Sequence, residues 1–285
     1  METIHTIQEM RQLRARFRAA GRAVGFIPTM GALHDGHLSL VTAARQECSH
    51  VVMSVYVNPT QFAPHEDFSR YPRPFELDRA RAEEAGCDVL FAPTDAEMYP
   101  ARFASYVNVG DVTERLEGVL RPDHYRGVAT VVLKLINIVQ PEKAYFGQKD
   151  AQQVVVIRKM VDELNVPVAL EVVPTLRHCD GVVMSSRNVF LTAREREHAP
   201  VISQGLQRAR DAFQAGARDA TVLCDIVREC YERSGAFKVE YIAVADAQTF
   251  EEVAAVDRPT LLLVSCKTPE SGTRLLDNVV LDGAR

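Results

Sequence analysis

Short apolar runs alternate with helical stretches from residue 23 to residue 173, and this alternation restricts the fold more than any other feature of the sequence. The run at 51–57, VVMSVYV, is typical of a strand that is buried on both faces. We place strands near 23–27, 51–57, 87–92, 144–146 and 168–173. Strands and helices in this order predict an α/β fold, a Rossmann-like doubly wound parallel sheet with right-handed crossovers.

The pattern changes after Pro174, where helices and strands no longer alternate. Thr192 and Glu195 form a capping-box pattern at the start of one helix. Further helices are predicted near 199–216 and 219–234, and strands near 238–245, 260–266 and 273–281. We therefore expect two domains, a larger one at residues 1–175 and a smaller α+β domain at residues 176–285.

Two further elements are predicted in the first domain. Apolar residues fall on one face of a helix from about residue 4 to 20, capped by Thr6 or Thr3. A short strand is predicted at 106–109, where its β-branched residues could form an exposed edge. The irregular stretch Ala63–Pro74 is long for a loop, which is typical of functional or mobile segments.

Composition narrows the class of protein. The 285 residues carry a net charge of −5, so no general affinity for nucleic acid is implied. No apolar run reaches the roughly 18 residues of a membrane span, and the amino terminus lacks the apolar centre of a secretory signal. The six cysteines include no CxxC pair, which favours reduced thiols over a zinc site or disulfides. We expect a cytoplasmic protein that binds neither membranes nor nucleic acid.

The stretch Phe26–Leu40, FIPTMGALHDGHLSL, predicts a strand, a polar turn and a helix beginning near Leu38. Ligands of open α/β sheets bind at such turns, and the free N–H groups of the helix suit phosphate. His34 and His37 would donate hydrogen bonds there. The alternative is an ordinary turn with solvated histidines.

Two later turns offer groups of the same kind. Gly147-Gln148-Lys149-Asp150 opens onto a helix, and Met184-Ser185-Ser186-Arg187 ends an apolar run. Lysine, arginine and hydroxyl groups offset charge on phosphoryl oxygens, and Asp150 could hold Mg²⁺. Taken singly, Lys149 fits a surface lysine, and the two serines fit a cap or turn. The absence of Gly-x-Gly-x-x-Gly argues against a dinucleotide-dependent hydride transferase.

Several motifs together resemble a known family. Pro28 to His37 resembles the His-x-Gly-His signature of the nucleotidyltransferase superfamily, and Met184 to Asn188 resembles its Lys-Met-Ser-Lys-Ser loop, with Arg187 replacing the second lysine. With the segments at 57–62, 67–73, 121–128, 146–150 and 272–278, the chain resembles the pantothenate synthetase (pantoate–β-alanine ligase) family.

The resemblance implies a two-step ligase reaction. Pantoate would attack the α-phosphorus of ATP, giving pantoyl adenylate and pyrophosphate, and β-alanine would then displace AMP to form pantothenate, the vitamin B5 precursor of coenzyme A. The resemblance further implies that the protein is a homodimer and that the reaction uses Mg²⁺. The 63–74 loop would exclude water from the adenylate, and the C-terminal domain would close over the ATP.

The resemblance also carries over site residues. The residues implied to bind ATP are Met30, Gly31, Ala32, Leu33, His34, Asp35, Gly36, His37, Gly147, Gln148, Lys149, Asp150, Leu176, Met184, Ser185, Ser186 and Arg187. Those that would act catalytically, by stabilising phosphate charge, are His34, His37, Lys149, Ser185, Ser186 and Arg187. Pantoate would be held by Gln61, Gln153, Asn58 and Arg121, and β-alanine by Gln61.

Two rival functions remain open. One is another nucleotidyltransferase, acting on a phosphorylated acceptor, against which the uncharged Asn58, Gln61 and Gln153 argue. The other is a non-catalytic nucleotide sensor, against which the full set of phosphate-binding groups argues. The sequence departs from the family at His178-Cys179, where a glutamate and a small residue are more usual.

Overall fold

The larger sheet is parallel and has six strands. The computed structural model describes residues 1–64 and 66–282. The strands are β1 (Glu2–Ile4), β2 (Val24–Thr29), β3 (His50–Val55), β4 (Val89–Phe91), β5 (Lys143–Gly147) and β6 (Ala169–Val173). They lie in the order β1-β4-β3-β2-β5-β6, and every neighbouring pair is parallel. The predicted doubly wound parallel sheet is confirmed.

The order of the strands reverses between β2 and β5. The chain runs outward from β2 through β3 to β4, and then returns to the other side of β2 with β5 and β6. Backbone pairing between β2 and β5 is confined to Gly25–Lys143 and Phe26–Ala144, although both strands continue for three more residues. A topological switch point of this kind is where α/β sheets bind ligands.

Helices cover both faces of this sheet. The helices of the first 174 residues are α1 (Ile7–Ala19), α2 (Asp35–Glu47), α3 (Phe75–Glu84), α4 (Asp95–Met98), α5 (Glu117–Leu120), α6 (His124–Val139) and α7 (Ala151–Glu163). Both α2 and α6 contact β2. Ile27 is fully buried and packs with residues of α2. Its neighbour Phe26, which points to the opposite face of the sheet, is fully buried as well.

The smaller sheet is antiparallel and has three strands. Its strands are β7 (Lys238–Asp246), β8 (Thr260–Lys267) and β9 (Arg274–Leu281), and its helices are α8 (Ala193–His198), α9 (Pro200–Gln214) and α10 (Ala220–Ser234). The strand order is β7-β8-β9. Leu206 of α9, Leu223 of α10 and Leu262 of β8 are fully buried in one core. The predicted capping box of Thr192 and Glu195 begins α8.

Backbone contacts divide the chain into two compact units. The first unit comprises Met1–Glu114, Gly118–Gln148 and Val156–Pro174. The second comprises Arg115–Glu117, Lys149–Val155 and the chain from Thr175 onward. The segments 115–117 and 149–155 therefore belong to the second unit, although they precede the division predicted after residue 175. His65 and residues 283–285, which fall within the predicted loop and the predicted second domain, lie outside the described residues.

Two local predictions are wrong. The helix expected from residue 4 begins at Ile7 with a Thr6 capping box, because Ile4 lies in β1, a three-residue strand too short to show a periodicity. The stretch 106–109 is not a strand. The Val107 N–H donates to Thr130 Oγ1 of α6 at 2.9 Å, so a side chain takes the place of a neighbouring strand.

No helix within the described ranges is both long and apolar enough to cross a membrane.

Candidate active site

The turn after β2 has a backbone that few residues can adopt. Gly31 has φ +81° and Ala32 has φ +50°. A Cβ atom on Gly31 would lie 2.8 Å from Asp78 Oδ2 and 2.9 Å from Val55 Cγ1. The positive φ and the crowding together require glycine at this position. The backbone of the turn consequently packs closely against its neighbours at the carboxyl end of β2.

Asp78 of α3 holds this turn in place. Its two carboxylate oxygens accept hydrogen bonds from the Ala32 N–H at 2.8 Å and the Leu33 N–H at 2.7 Å. Burial raises the pKa of Asp78, while these two amide donors and the charge of Arg81 oppose the rise. The Arg81 guanidinium in turn donates to the Leu33 carbonyl. The carboxylate of Asp78 and the guanidinium of Arg81, both on α3, thus fix the backbone of the turn.

The two histidines lie where the turn enters α2. This helix begins at Asp35 instead of near Leu38, with His34 as its N-cap, so His37 occupies the first turn. The His34 backbone N–H donates to His37 Nδ1 at 3.3 Å, and the two ring centroids are 4.0 Å apart. Because Nδ1 accepts a hydrogen bond, the neutral His37 ring carries its proton on Nε2. That N–H is a donor beside the positive end of the helix dipole, which suits an anionic oxygen.

Polar side chains also meet in the turn that follows β3. Asn58 is fully buried and donates from Nδ2 to Gln61 Oε1 and to the Gly127 carbonyl, both at 3.1 Å. These bonds orient the Gln61 amide so that its Nε2 lies 3.0 Å from Met30 Sδ. A thioether is a weak acceptor, so the amide retains donor capacity for a stronger partner. Gln61 and Met30, predicted for different substrates, are in contact.

Arg121 binds a carboxylate of the protein itself. Its Nε lies 2.6 Å from Glu66 Oε1 and its Nη2 lies 2.8 Å from Glu66 Oε2, a bidentate pair with little solvent exposure. Burial favours the neutral form of Glu66, but the hydrogen bonds and charge of Arg121 outweigh it and lower the pKa of Glu66 to about 2. Arg121 Nη2 and His124 Nδ1 also donate to the Gln61 carbonyl, at 3.3 and 2.8 Å. Arg121 therefore positions Gln61.

The stretch that follows Gln61 is packed, although the sequence predicts only an irregular loop there. Asp67–Ser69 forms a 3-10 turn, and Tyr71 is buried with its ring edge against Phe62. Arg73 donates to the carbonyls of Phe68 and Tyr71. Together with the Glu66–Arg121 pair, these contacts attach the described part of the loop to the rest of the first unit.

In the second unit, Lys149 and Asp150 form one polar group. Lys149 Nζ lies 3.1 Å from Asp150 Oδ1, and the lysine side chain is about one-fifth exposed. The Lys149 carbonyl accepts a hydrogen bond from Asn278 Nδ2 of β9 at 2.9 Å. The Lys149 side chain therefore has an ion-pair partner and its backbone is hydrogen-bonded, unlike a freely solvated surface lysine.

The predicted serine–arginine segment follows a hairpin in the second unit. Arg177 and Val183 form a β-bridge, and the Met184 N–H donates to the Leu176 carbonyl at 3.2 Å. Ser185 caps the short 3-10 helix Ser186–Phe190, with its hydroxyl accepting from the Arg187 N–H at 3.3 Å. His178 and the exposed Cys179 lie in the turn of the hairpin. The departure from the family pattern thus falls on the turn, away from Met184–Arg187 in the chain.

Comparison with known proteins identifies the family. A model of the family described as pantoate–β-alanine ligase matches residues 2–280. A protein named pantothenate synthetase from Chloroflexus aggregans is 50% identical over 281 residues, which is 99% of this chain and 100% of the relative. The chain belongs to the pantoate–β-alanine ligase family.

Solved structures of pantoate–β-alanine ligases share this fold. A pantothenate synthetase from Thermus thermophilus superposes with a TM-score of 0.93 at 42% identity, covering 99% of this chain and 100% of that one. A pantoate–β-alanine ligase from Francisella tularensis, crystallised with β-γ ATP and β-alanine, has a TM-score of 0.81 at 30% identity, covering 98% and 97%.

The residues predicted from the pantoate–β-alanine ligase resemblance are distributed over both units. The first unit contains Met30 to His37, Asn58, Gln61, Arg121, Gly147 and Gln148, and the second contains Lys149, Asp150, Gln153, Leu176 and Met184 to Arg187. The first unit brings Met30 into contact with Gln61 and Gln61 with Asn58. Gln153 is half-buried on α7, whereas its neighbour Gln152 is buried and bonded to Arg115 and Glu117.

Sequence reasoning missed the residues that hold this ligase's turns. These are Asp78, Arg81, Glu66, His124, Arg177, Asp277 and Asn278. Most have no local signal, because an acid in the first turn of a helix or an asparagine in a strand is common. His124, Asp277 and Asn278 lie within segments that carry the family resemblance and Glu66 lies beside one, which was the available signal.

Proposed function

We propose that the chain condenses pantoate with β-alanine in an ATP-dependent reaction that passes through pantoyl adenylate. The observation that carries the proposal is that the chain shares its fold, over nearly its whole length, with the relative crystallised with β-γ ATP and β-alanine. A second support is the turn at the switch point of this sheet, which is suited to binding phosphate. Pantothenate, AMP and pyrophosphate are the products.

In the first step, a pantoate carboxylate oxygen attacks the α-phosphorus of ATP and the bond to pyrophosphate breaks. This displacement needs positioning and charge stabilisation more than acid–base chemistry. His37 would donate from Nε2, and the amides of the first turn of α2 would add partial positive charge. Lys149, Ser185, Ser186 and Arg187, together with His34, are proposed to stabilise the remaining phosphate charge.

Pantoate is proposed to bind at Gln61. The Gln61 amide already has its oxygen bonded to Asn58, so its nitrogen is the group available to a pantoate oxygen. Asn58 and Arg121 were predicted to bind pantoate, but their contacts favour an orienting role towards Gln61. Gln153, in the second unit, is the other proposed pantoate ligand.

In the second step, the amine of β-alanine attacks the acyl carbon of pantoyl adenylate and AMP leaves, with the amine proton released to solvent. Gln61 is the proposed contact for β-alanine. The packed segment around Asp67–Ser69 and Tyr71 would limit the access of water to the adenylate. A packed segment excludes water better than an open loop, and hydrolysis of the adenylate would therefore be slower.

Mg²⁺ is proposed to accompany ATP. The Asp150 carboxylate is a suitable donor, since it is about 45% exposed and Mg²⁺ usually takes one or two carboxylates plus phosphate oxygens and water. Within the described residues no group of three or more His, Cys, Asp or Glu forms a metal cage. The ion would offset negative charge on the phosphates. A homodimer and a cytoplasmic location, expected from the resemblance, remain predictions that light scattering and cell fractionation would test.

The test supplies ATP, Mg²⁺, pantoate and β-alanine and follows AMP. AMP should accumulate only when pantoate is present, and pyrophosphate should appear with pantoate even when β-alanine is omitted. ADP as the nucleotide product, or AMP formation that does not depend on pantoate, would overturn the proposal.

A further inference from the structure

Two adjacent residues of β9 contact the two segments of the second unit that carry phosphate-binding candidates. Asp277 is paired with Arg177, which begins the hairpin leading to Met184–Arg187. Asn278 is bonded to Lys149. Successive residues of a strand point to opposite faces, so one strand reaches both segments from its two sides.

The contact with the hairpin is a buried bidentate ion pair. Arg177 Nη1 lies 2.6 Å from Asp277 Oδ2, and Arg177 Nη2 lies 2.8 Å from Asp277 Oδ1. The Asp277 side chain is 1% exposed. Arg177 Nη1 also donates to the Gly181 carbonyl at 3.1 Å, so the same guanidinium also holds the turn of the hairpin. Two parallel hydrogen bonds from a planar guanidinium fix the orientation of the two side chains as well as the distance between them.

The contact with Lys149 is made through its backbone. Asn278 is buried, and its Nδ2 donates to the Lys149 carbonyl at 2.9 Å. The Asn278 N–H donates in turn to Asp277 Oδ1 at 2.7 Å, which links this bond to the ion pair. The position of the Lys149 backbone therefore depends on the same short stretch of β9 as the hairpin.

We propose that Arg177, Asp277 and Asn278 are positioning residues, which fix the spacing between Lys149 and the Ser185–Ser186–Arg187 group. The inference rests on the proposed function, because it assigns the two segments a common ligand, the phosphates of ATP. None of the three residues needs to touch ATP. Their role is to keep a lysine and an arginine at a spacing that would otherwise vary with the motion of two turns.

Asn278→Ala is the direct test, since it removes one donor without removing a charge. We expect pyrophosphate release without β-alanine to slow by about 10- to 100-fold with a raised KM for ATP, because small misplacements of charge stabilisers are costly. Conversion of supplied pantoyl adenylate and β-alanine to pantothenate should change by less than about twofold, since that step does not use the β- and γ-phosphates. Arg177→Lys should retain more of the first step than Arg177→Ala.

Arg258→Ala is the matched control. Arg258 pairs with Asp246 at 2.6 Å in the same unit, and Asp246 otherwise bonds to the backbone of its own turn. This variant should lower thermal stability without changing the KM for ATP. If Asn278→Ala leaves the first step unchanged, or slows both steps equally, the three residues are only structural and the inference fails. If the wild-type protein releases no pyrophosphate with pantoate, the proposed function fails instead, and ATP affinity of the same variants still tests the positioning.

Discussion

The amide nitrogen of Gln61 lies 3.0 Å from the sulfur of Met30, which joins the turn after β3 to the turn after β2. The two residues are 31 positions apart in the chain, and each follows a strand of the same parallel ladder. Because the partner is a weak acceptor, a substrate oxygen can replace it at little cost. This contact marks the proposed pantoate position next to the turn proposed for ATP.

Gln61→Leu should raise the KM for pantoate by roughly 10- to 100-fold, because a lost donor of this kind is worth about 1–3 kcal/mol. The affinity for ATP should stay unchanged, as the variant leaves the turn at Gly31 and Asp78 intact. Steady-state kinetics at saturating ATP measure the first quantity and calorimetry the second. Gln207→Leu, an exposed position on α9, is the control and should match the wild type. An unchanged KM for pantoate would remove Gln61 from the site.

Gly127→Ala should disturb the same region through the backbone. A Cβ atom at this position of α6 would lie 2.4 Å from the Thr60 carbonyl oxygen and 2.7 Å from the Gln61 nitrogen. The helix or the turn must shift, which costs about 1–3 kcal/mol of folding free energy and displaces Gln61. Chemical denaturation and the KM for pantoate should both respond. At Gly110 an added Cβ meets no atom within 4 Å, so Gly110→Ala should affect neither, and a Gly127→Ala protein with wild-type stability would contradict the structure.

Lys149→Ala should slow pyrophosphate release by about 10²–10³-fold, the usual cost of removing one preorganised charge stabiliser. Lys149→Arg keeps the charge and should retain part of the rate. Lys159→Ala provides the comparison, because Lys159 forms an exposed pair with Glu163 on α7 and should be silent. Rapid-quench measurement in the absence of β-alanine isolates this step. Equal rates for Lys149→Ala and Lys159→Ala would show that Lys149 is a structural lysine.

Glu66 should make folding stability sensitive to acid. The pKa of Glu66 is lowered from 4.5 to about 2, with burial opposed by Arg121. A carboxyl with a depressed folded-state pKa contributes stability that is complete above the unfolded value and is lost as the pH falls towards the folded value. The contribution, about 3 kcal/mol, should therefore decline between pH 4.5 and pH 2.

Urea denaturation of wild type and Glu66→Gln across about pH 7 to 3 measures this contribution. The difference in stability between the two proteins should be largest near neutral pH and should shrink below pH 4.5. Glu76→Gln removes an exposed acid paired with Arg79 and should give a small difference, since exposed pairs are worth little. A Glu66→Gln difference that stays constant with pH would mean that the pair with Arg121 is not formed in solution.

Much of the fold was predictable because its signals are local. The strand at 50–55 and the helix at 151–163 follow from runs of apolar residues with the periodicity of each element. The capping boxes at Thr6 and Thr192 are likewise visible within four residues. The helix was wrongly predicted to begin at residue 4, because the three residues of β1 are too few to show a pattern. The strand predicted at 106–109 is also wrong, because a backbone N–H of that β-branched stretch donates to a side chain and not to a neighbouring strand.

The candidate site was predictable in its residue types but not in its geometry. Glycine at position 31 and the histidines at 34 and 37 predict a ligand-binding turn after β2, and the helix start at Asp35 places that turn at the positive end of the helix dipole. Arg121 was predicted as a substrate ligand from the resemblance, and the structure places it against Glu66. A basic residue near a site gives no indication in the sequence of which carboxylate it will meet.

The sequence by itself determined where the strands, helices and glycine-containing turns fall, because backbone preferences and hydrophobic periodicity act over a few neighbouring residues. Only the tertiary structure decided what holds those turns. Asp78 fastens Ala32 from 46 residues away, and Asn278 fastens Lys149 from 129 residues away. Such bonds form when packing brings distant segments within about 3 Å, and no local pattern encodes that distance.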